Sequence, residues 1–446
     1  MSLTHTLATY LSEVASTPLP AEVAERTRLH LLDALAAMLS GASLEAGRRA
    51  LDYVRGEGTS DQATVIGGGM TATAADAAFA NGMAGHADET DDSHPAGFHP
   101  GCGIVAAALA MAEREHSSGE VLLRAIAAGY DVGSRAALAA LPPAQRAAGY
   151  SVTTHAIGGT FGAGAAAATQ IALMPDQLCH VLSYTAQQAW GARSYLRDAH
   201  HVEKAFVYGG RPARAGVMAA TMVQRGFDAV PDVFEGEFNY FAAIGFLADP
   251  AALVDGLGSR WEIMRTNIKR YPVGSPILGV VEGLNRIFAS RSISPEQVRR
   301  VTLEMPARSA QVVDERDMPN VNAQHITAIM LLDGALHLAA SHDYARMQDA
   351  SVLSLRQRIS LVPGSGDDTT IRIELGTGDV LSESVPSQRR AVPSPGDVQQ
   401  KARELISEVL GASAAAALIE QILRIHTLDD VQRLRPALQA RVAVAA

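Results

Sequence analysis

Apolar residues recur at helical spacing over most of the first 265 positions of this 446-residue chain. The clearest case is residues 21–41, in which one helix face carries Val23, Leu29, Leu32, Leu35, Ala36 and Leu39. Gly41 is a typical helix end. Similar spacing predicts helices over 72–86, 103–115, 118–140, 158–173, 176–190 and 211–226. Many of these apolar residues are Ala or Gly, so we expect closely packed helices, with Gly82 and Gly85 admitting a neighbour.

The pattern changes near Trp261. Residues 293–310 contain a turn signal followed by the strand-like alternation VRRVTLEM, and residues 355–386 indicate two or three strands separated by Gly/Asp turns. Between them, residues 321–341 have the composition of a buried helix, and the chain becomes helical again from 397. This order predicts a mainly α fold with an inserted region that contains a sheet.

The domain organisation follows from these changes along the chain. We predict an all-α helical domain formed by both ends of the chain, residues 1–266 plus 398–446. A smaller α+β lid domain, residues 267–397, is inserted into it. The stretch QRRAVPSPGD, residues 388–397, is the predicted linker.

Composition limits the possible functions. Hydrophobic residues make up 48% and charged residues 19% of the chain, as in soluble globular proteins, and no apolar run is long enough to cross a bilayer. Neither a disulfide framework nor a thiolate zinc site fits two cysteines, Cys102 and Cys179, and the N-terminus lacks the pattern of a signal peptide, so we predict a cytoplasmic protein. The net charge of −10 and the absence of basic runs argue against nucleic acid as a partner. An acidic metabolite would need cations that converge in one pocket.

Residues 85–101, GHADETDDSHPAGFHPG, concentrate the ionisable side chains of the sequence. Prolines and glycine separate the helix predicted before this stretch from the one predicted after it, whose free N–H groups favour anions. Three interpretations remain open: a solvated acidic loop with capping aspartates, a metal site, and an acid–base site in which carboxylates orient a histidine. The segment DETDD is similar to the aspartate-rich magnesium motif of all-α terpene synthases, although aromatic residues make up only 5% of this chain.

The same stretch resembles the MmgE/PrpD family, which includes 2-methylcitrate dehydratase, cis-aconitate decarboxylase and iminodisuccinate epimerase. Members carry a segment like H-A-L-D-F-D-D-T, followed six residues after the threonine by His-Pro. Residues 86–93, HADETDDS, match that segment, and His99-Pro100 follows at the expected distance. The chain differs from the family at Glu89, in place of the first aspartate, and at Ser93, in place of the threonine.

Three later segments extend the resemblance over nearly the whole chain. GYSVTTHAIGGTFGAGAAAA (149–168) is similar to a family segment with an active-site histidine and makes His155 the candidate, a few residues later than the pattern. EKAFVYGGRPARAGVMAA (203–220) places Lys204 at a catalytic-site lysine, with one residue more than the commoner K-x-x-H-x-G-R-A-A. IKRYPVGSPI (268–277) places Lys269 in a K-x-Y-P segment, with Val-Gly where many members have Cys-Cys.

The resemblance implies a fold, a reaction class and roles for these residues. The fold would be an all-α domain with an inserted α+β lid, in a homodimer, and the active site would lie between the domains. The substrates would be small di- or tricarboxylates, with no cofactor and no metal. The implied catalytic residues are His99 as general base or acid, Lys204 and Lys269 as carboxylate clamps or acids, Asp91 as an orienting group, and His155; the implied substrate-binding residues are Glu89, Asp92 and Ser93.

We therefore expect a cofactor-independent lyase that dehydrates a compound such as 2-methylcitrate by proton transfer next to a carboxylate. Decarboxylation of the cis-aconitate type and epimerisation of the iminodisuccinate type are alternatives on the same scaffold. From other classes, a metal-dependent enzyme similar to terpene synthases and a non-catalytic helical binding protein stay open.

Overall fold

Two compact units make up the chain, which the computed structural model describes over residues 2–143, 150–245, 248–386 and 393–441. The first unit comprises Met1–Ala87, Asp91–Ile268 and Ser394–Ala446, and the second comprises Asp88–Thr90 and Lys269–Pro393. Helices predominate over strands, which confirms the predicted mainly α class. The inserted lid and its boundaries stay predictions.

The first unit is built around helices of small apolar residues. In chain order, its described α-helices are Leu3–Ser16, Ala21–Gly41, Glu45–Glu57, Ala74–Gly85, Pro100–Arg114, Gly119–Ala140, Thr154–Thr169, Pro175–Ala186, Val202–Ala205, Arg211–Gln224, Tyr240–Ile244, Pro395–Leu410, Ala412–Leu423 and Arg435–Leu438. All seven helices predicted from spacing are present. The helix predicted over 158–173 lies four residues earlier, because the Thr153 side chain caps its N-terminus by accepting from the backbone N–H of His155 at 3.2 Å.

Glycine allows two backbone segments to cross at close range in this unit. A Cβ atom on Gly209 would lie 1.9 Å from the carbonyl oxygen of Gly82, and one on Gly82 would lie 2.6 Å from Gly209. Side chains at either position are therefore excluded, as expected for Gly82 from the sequence. The crossing brings the helix Ala74–Gly85 against a π-helical turn, Phe206–Gly210.

A short β-hairpin corrects the prediction that residues 1–266 are entirely helical. Strands Ala63–Val65 and Met70–Ala72 pair antiparallel across a glycine loop in which Gly67 and Gly69 have φ of 71° and 67°. Three-residue strands are too short for a periodicity to show in the sequence. Of the predicted linker 388–397, residues 388–392 lie outside the described residues, and Ser394 already caps the helix Pro395–Leu410.

The second unit contains a four-stranded mixed sheet. Its strands lie in the order Ile359–Gly364, Val298–Pro306, Thr369–Leu375 and Val380–Val385, with the first pair parallel and the other two antiparallel. The predicted alternation is confirmed: Val301, Leu303 and Met305 are buried, and the residues between them are more exposed. The helices of this unit are Leu278–Ser290, Ala307–Val313, Ala323–Asp333, Leu338–His342 and Ala350–Arg356.

The prediction of a single helix over residues 321–341 is wrong. The helix Ala323–Asp333 ends at Gly334, which adopts a left-handed conformation with φ of 74°, and a separate short helix, Leu338–His342, follows. Glycine in the left-handed conformation is a common helix C-terminus. The continuous apolar composition hid this break.

Buried His325 should make the stability of the second unit sensitive to acid. Its side chain is 0% exposed, and neither ring nitrogen has a hydrogen-bond partner among the described residues. Burial, with nearby arginines, lowers the pKa of His325 from 6.5 to about 4. The unfolded chain therefore takes up a proton first as the pH falls, so folding stability decreases between pH 6.5 and 4.

We expect His325 to account for about 2–3 kcal/mol of the stability lost between pH 7 and pH 4.5. Urea unfolding of the wild type and of a His325→Leu variant at both pH values measures this contribution. The comparison uses the pH dependence of each protein, so a constant packing change cancels. Equal pH dependence in the two proteins would contradict the prediction.

Among the described residues, no helix combines the length and apolar content needed to cross a bilayer.

Candidate active site

The four carboxylates of the acidic segment are buried. Asp88, Glu89, Asp91 and Asp92 are each 5% exposed or less. Every one of them has a hydrogen-bond donor within the protein. This is not the arrangement of a solvated acidic loop, and carboxylates that are already paired with protein donors are unlike an open magnesium cluster.

Asp91 holds two imidazoles at once. One carboxylate oxygen is 3.0 Å from Nδ1 of His86 and the other is 2.9 Å from Nδ1 of His99. Burial alone would raise the pKa of Asp91, but the charges and hydrogen bonds of the two histidines hold it well below its usual range. An ionised Asp91 accepts from Nδ1–H of each ring, which leaves each Nε2 as the atom able to accept a proton.

Burial lowers the pKa of His86 despite the carboxylate of Asp91. His86 is 0% exposed, its Nε2 lacks a hydrogen-bond partner among the described residues, and it begins the motif segment, yet the sequence did not single it out. His99 has a small exposed fraction of 9%. The Asp91 carboxylate thus joins one fully buried imidazole to one that solvent can reach.

Three groups of the protein bind the Asp92 carboxylate. Its oxygens accept from the backbone N–H of Gly101 at 2.8 Å and from the Tyr130 hydroxyl at 2.7 Å, and one is 2.6 Å from Nδ1 of His30. The free N–H groups at the start of the helix Pro100–Arg114 therefore receive a carboxylate of the chain itself. Three protein partners leave Asp92 little capacity for a substrate, in contrast to the role that the resemblance implied.

The structure brings three of the predicted site residues, His99, His155 and Lys204, together with His86 around one tyrosine. Tyr208 lies with its ring centroid 3.6 Å from that of His155, 4.3 Å from His86 and 5.5 Å from His99, and Lys204 Nζ is 5.3 Å from the Tyr208 centroid. We call Asp91, His86, His99, His155 and Tyr208 the imidazole cluster. Tyr208 was missed because a single aromatic residue in the stretch YGGRP has no periodic or motif signal.

A second pair of predicted residues meets in the second unit. Lys269 is 0% exposed, and its Nζ donates to the carbonyl oxygen of Glu89 at 2.8 Å and lies 3.2 Å from the Glu89 carboxylate. Asp88, the residue before Glu89, accepts from the backbone N–H and the hydroxyl of Thr90 and pairs with His342. Lys269 is therefore a buried cation with a specific counter-ion, although its position next to Arg270 is typical of a surface hinge.

Ser93 pairs only its backbone in the contacts described. Its N–H donates to the carbonyl oxygen of Asn267 at 2.9 Å, and the N–H of Asn267 donates back at 2.8 Å. The side chain is half-buried, so its predicted donation to a substrate carboxylate stays a prediction.

The imidazole cluster also contains a set of possible metal ligands. Ligand atoms of His86, Asp91 and His99 lie within 4.8 Å of one another. Two imidazoles and one carboxylate can bind zinc or ferrous iron. The Nδ1 atoms of His86 and His99 lie at hydrogen-bond distance from the Asp91 oxygens. The same three side chains therefore also fit the acid–base interpretation, in which a carboxylate orients a histidine.

Cys102 lies close to the cluster but should not act as a nucleophile. Burial and the charges of Asp91 and Asp92 raise the pKa of the Cys102 thiol well above its usual range, and burial raises that of Cys179 to about 11. We expect iodoacetamide at pH 7.5 to label neither cysteine of the folded protein, and both in urea, as measured by intact-mass spectrometry. Rapid labelling of Cys102 in the folded protein would contradict this assignment.

Comparison with known proteins extends over almost the entire chain. The model of the MmgE/PrpD N-terminal domain matches residues 5–251, and that of the MmgE/PrpD C-terminal domain matches residues 271–427. The chain is 25% identical to the cis-aconitate decarboxylase-like protein oryM of Aspergillus oryzae, covering 97% of this chain and 96% of that protein. It is 23% identical to a cis-aconitate decarboxylase of Aspergillus terreus (99% and 96% covered) and 24% identical to the human one (98% and 95%). The N-terminal and C-terminal domain models of the family both match, and the similarity covers at least 95% of each of these relatives, so the chain belongs to the MmgE/PrpD family.

Proposed function

We propose that this protein is a cofactor-independent lyase that acts on a small di- or tricarboxylate by proton transfer next to a carboxylate. The observation that carries the proposal is the imidazole cluster: His99, oriented by Asp91 and reached by solvent, stands beside His155 and Tyr208, and Lys204 lies over the Tyr208 ring. An oriented imidazole next to a cation suits a reaction in which a carbanion forms beside a carboxylate and is then protonated.

His99 is the proton-transfer group in this proposal. Its Nδ1–H is held by Asp91, so Nε2 exchanges the proton with the substrate carbon or with a leaving hydroxyl group. The cation of Lys204 pairs with a substrate carboxylate and opposes the negative charge that builds up in the transition state. Lys269 is assigned a carboxylate-binding role as well, and a substrate anion would share its ammonium with Glu89.

Two lyase reactions fit this arrangement. In decarboxylation, the bond between carbon and the leaving carboxylate breaks, carbon dioxide departs, the electron pair delocalises into the adjacent unsaturated acid, and protonated His99 donates a proton to carbon and takes another from solvent. In dehydration, His99 removes a proton from carbon, the carbon–carbon double bond forms as the C–O bond breaks, and the hydroxyl group leaves as water with a second proton taken from solvent. The curated relatives named above are two cis-aconitate decarboxylases and a cis-aconitate decarboxylase-like protein, which favours decarboxylation as the first reaction to test over the dehydration that the sequence suggested.

NMR of the purified protein with aconitate, 2-methylcitrate or iminodisuccinate in heavy water, with EDTA present, tests the proposal. Decarboxylation would give a product one carbon shorter with deuterium on carbon, dehydration would give an unsaturated acid, and epimerisation would exchange the proton at the stereocentre. Turnover of one of these acids in EDTA is the expected result. Turnover that is lost in EDTA and restored by a divalent cation would favour the metal-dependent alternative.

A non-catalytic binding protein is the alternative from another class. It would retain the fold without turnover of any of the three acids. A ligand held at 100 times its dissociation constant stabilises a protein by about 2.7 kcal/mol, so a catalytic pocket should show a thermal shift with citrate-like acids that weakens in Lys204→Ala. The homodimer and the cytoplasmic location belong to the same proposal, and sedimentation of the purified protein tests the first.

A further inference from the structure

Tyr208 occupies the centre of the imidazole cluster. Its ring is nearly parallel to that of His155, at 15°, and to that of His86, at 22°, with centroid distances of 3.6 Å and 4.3 Å. Two nearly parallel rings this close cannot share one face of the tyrosine, so the two imidazoles flank it. Stacking of this kind restricts the ring plane of each histidine.

The backbone that carries Tyr208 is irregular. Residues Phe206–Gly210 form a π-helical turn, and His201, just before the short helix Val202–Ala205, has a left-handed φ of 60°. A π-helical turn accommodates one residue more than an α-helical turn, and such turns are frequent at functional sites.

Two contacts fix the position of the turn and of the tyrosine ring. The close crossing of Gly209 with Gly82 sets the distance between the π-helical turn and the helix that leads into His86. The Tyr195 ring meets that of Tyr208 edge to face, with centroids 5.1 Å apart at 86°, and its hydroxyl lies 3.1 Å from the Thr153 hydroxyl. The ring is therefore held by its backbone and by the ring of Tyr195.

We infer that Tyr208 is a positioning residue: its ring, presented by the π-helical turn Phe206–Gly210, sets the planes of His155 and His86. Because His86 shares the Asp91 carboxylate with His99, the same ring helps to orient His99. This inference rests on the proposed function, since it assigns a task to the imidazole cluster in proton transfer. The positioning role of Tyr208 requires its aromatic ring, whereas its hydroxyl group takes no part in the reaction.

Two substitutions separate the ring from the hydroxyl group. Tyr208→Phe keeps both stacks, so we expect kcat to stay within about threefold of the wild type, whereas Tyr208→Leu should lower kcat by about 10–100-fold with little change in KM, because misplaced catalytic groups cost rates of this order. Phe206→Leu, on the exposed side of the same turn, is the matched control and should behave as the wild type. Equal loss in Tyr208→Phe and Tyr208→Leu would overturn the inference in favour of hydroxyl chemistry.

Histidine NMR tests the geometry without any substrate. In the wild type and in Tyr208→Phe, the ring protons of His155 and His86 should be shifted upfield by the stacked ring, and in Tyr208→Leu these shifts should disappear. Unchanged histidine spectra in Tyr208→Leu would overturn the inference. If Tyr208→Leu does not fold, Tyr208→Met replaces it, since its flexible side chain fills a similar volume without a ring.

The two readouts also separate this inference from the proposed function. If the wild type converts none of the tested acids, the proposed function fails while the histidine spectra still decide whether Tyr208 orients the imidazoles. If the wild type is active and Tyr208→Leu keeps both its kcat and its histidine spectra, the proposed function stands and the positioning role of Tyr208 fails.

Discussion

A His99→Ala variant should lose about 10²–10⁴-fold in kcat while it keeps its fold, because a positioned general acid or base contributes a factor of this size. Solvent reaches His99, which is 9% exposed, and its side chain supplies the Nε2 atom that exchanges the proton in the proposed reaction. The loss should appear in kcat with each of the acids that the wild type converts. Steady-state kinetics together with circular dichroism of both proteins measures it.

The matched control for this variant is His426→Ala, which removes an exposed histidine from the turn Ile425–Thr427 and should leave kcat unchanged. An Asp91→Asn variant adds a second comparison. It keeps the size of the side chain but replaces one acceptor oxygen with a donor, so the hydrogen bonding of the His86–Asp91–His99 group changes and kcat should fall although His99 is present. Full activity in His99→Ala would refute its assignment as the proton-transfer group.

A Lys269→Met variant should lower the free energy of unfolding by about 3–5 kcal/mol, because it removes the ammonium that pairs with the buried Glu89 carboxylate. Methionine keeps most of the volume of the lysine side chain, so the effect reports charge rather than a cavity. The double variant Lys269→Met/Glu89→Gln should recover most of the loss, since the remaining amide carries no charge. Urea denaturation of the single and double variants measures the coupling between the two side chains.

Arg270→Met is the matched control for this pair. The adjacent arginine is exposed, so its removal should change the free energy of unfolding by about 1 kcal/mol or less. If Lys269→Met were as stable as Arg270→Met, the buried ion pair would not contribute as its geometry suggests. A fully stable but inactive Lys269→Met variant would show that the ammonium serves substrate binding alone.

Local sequence patterns predicted most of the helices and the sheet strands of this protein. The 3.6-residue spacing of apolar positions gave the helix Ala21–Gly41 with both ends correct, and the alternation in VRRVTLEM predicted the central strand Val298–Pro306. Predictions failed at a helix end set by one glycine and at a hairpin with very short strands. Gly334 ends a helix that composition extended to residue 341, and the hairpin at residues 63–72 is too short to show a period.

The candidate site was predicted less completely. The resemblance and the acidic–histidine stretch identified Asp91 and His99, which the structure places in hydrogen-bond contact, but they gave no sign that Tyr208 would stand between two histidines. They also assigned Asp92 to the substrate, although it accepts from the N–H of Gly101 at a helix start. Neither partnership is visible from residue type, since a carboxylate and an aromatic ring have many possible neighbours.

The order of residues alone predicts the mainly α class, the strands of the second unit and the concentration of ionisable side chains at residues 86–99, because burial periodicity and composition are local properties. The tertiary structure decided which partner each charge receives. Glu89 meets Lys269 across 180 positions and Asp92 meets His30 across 62, and such pairings depend on how helices pack rather than on the residues next to them. A buried carboxylate must find a donor, but only the packed chain selects which one.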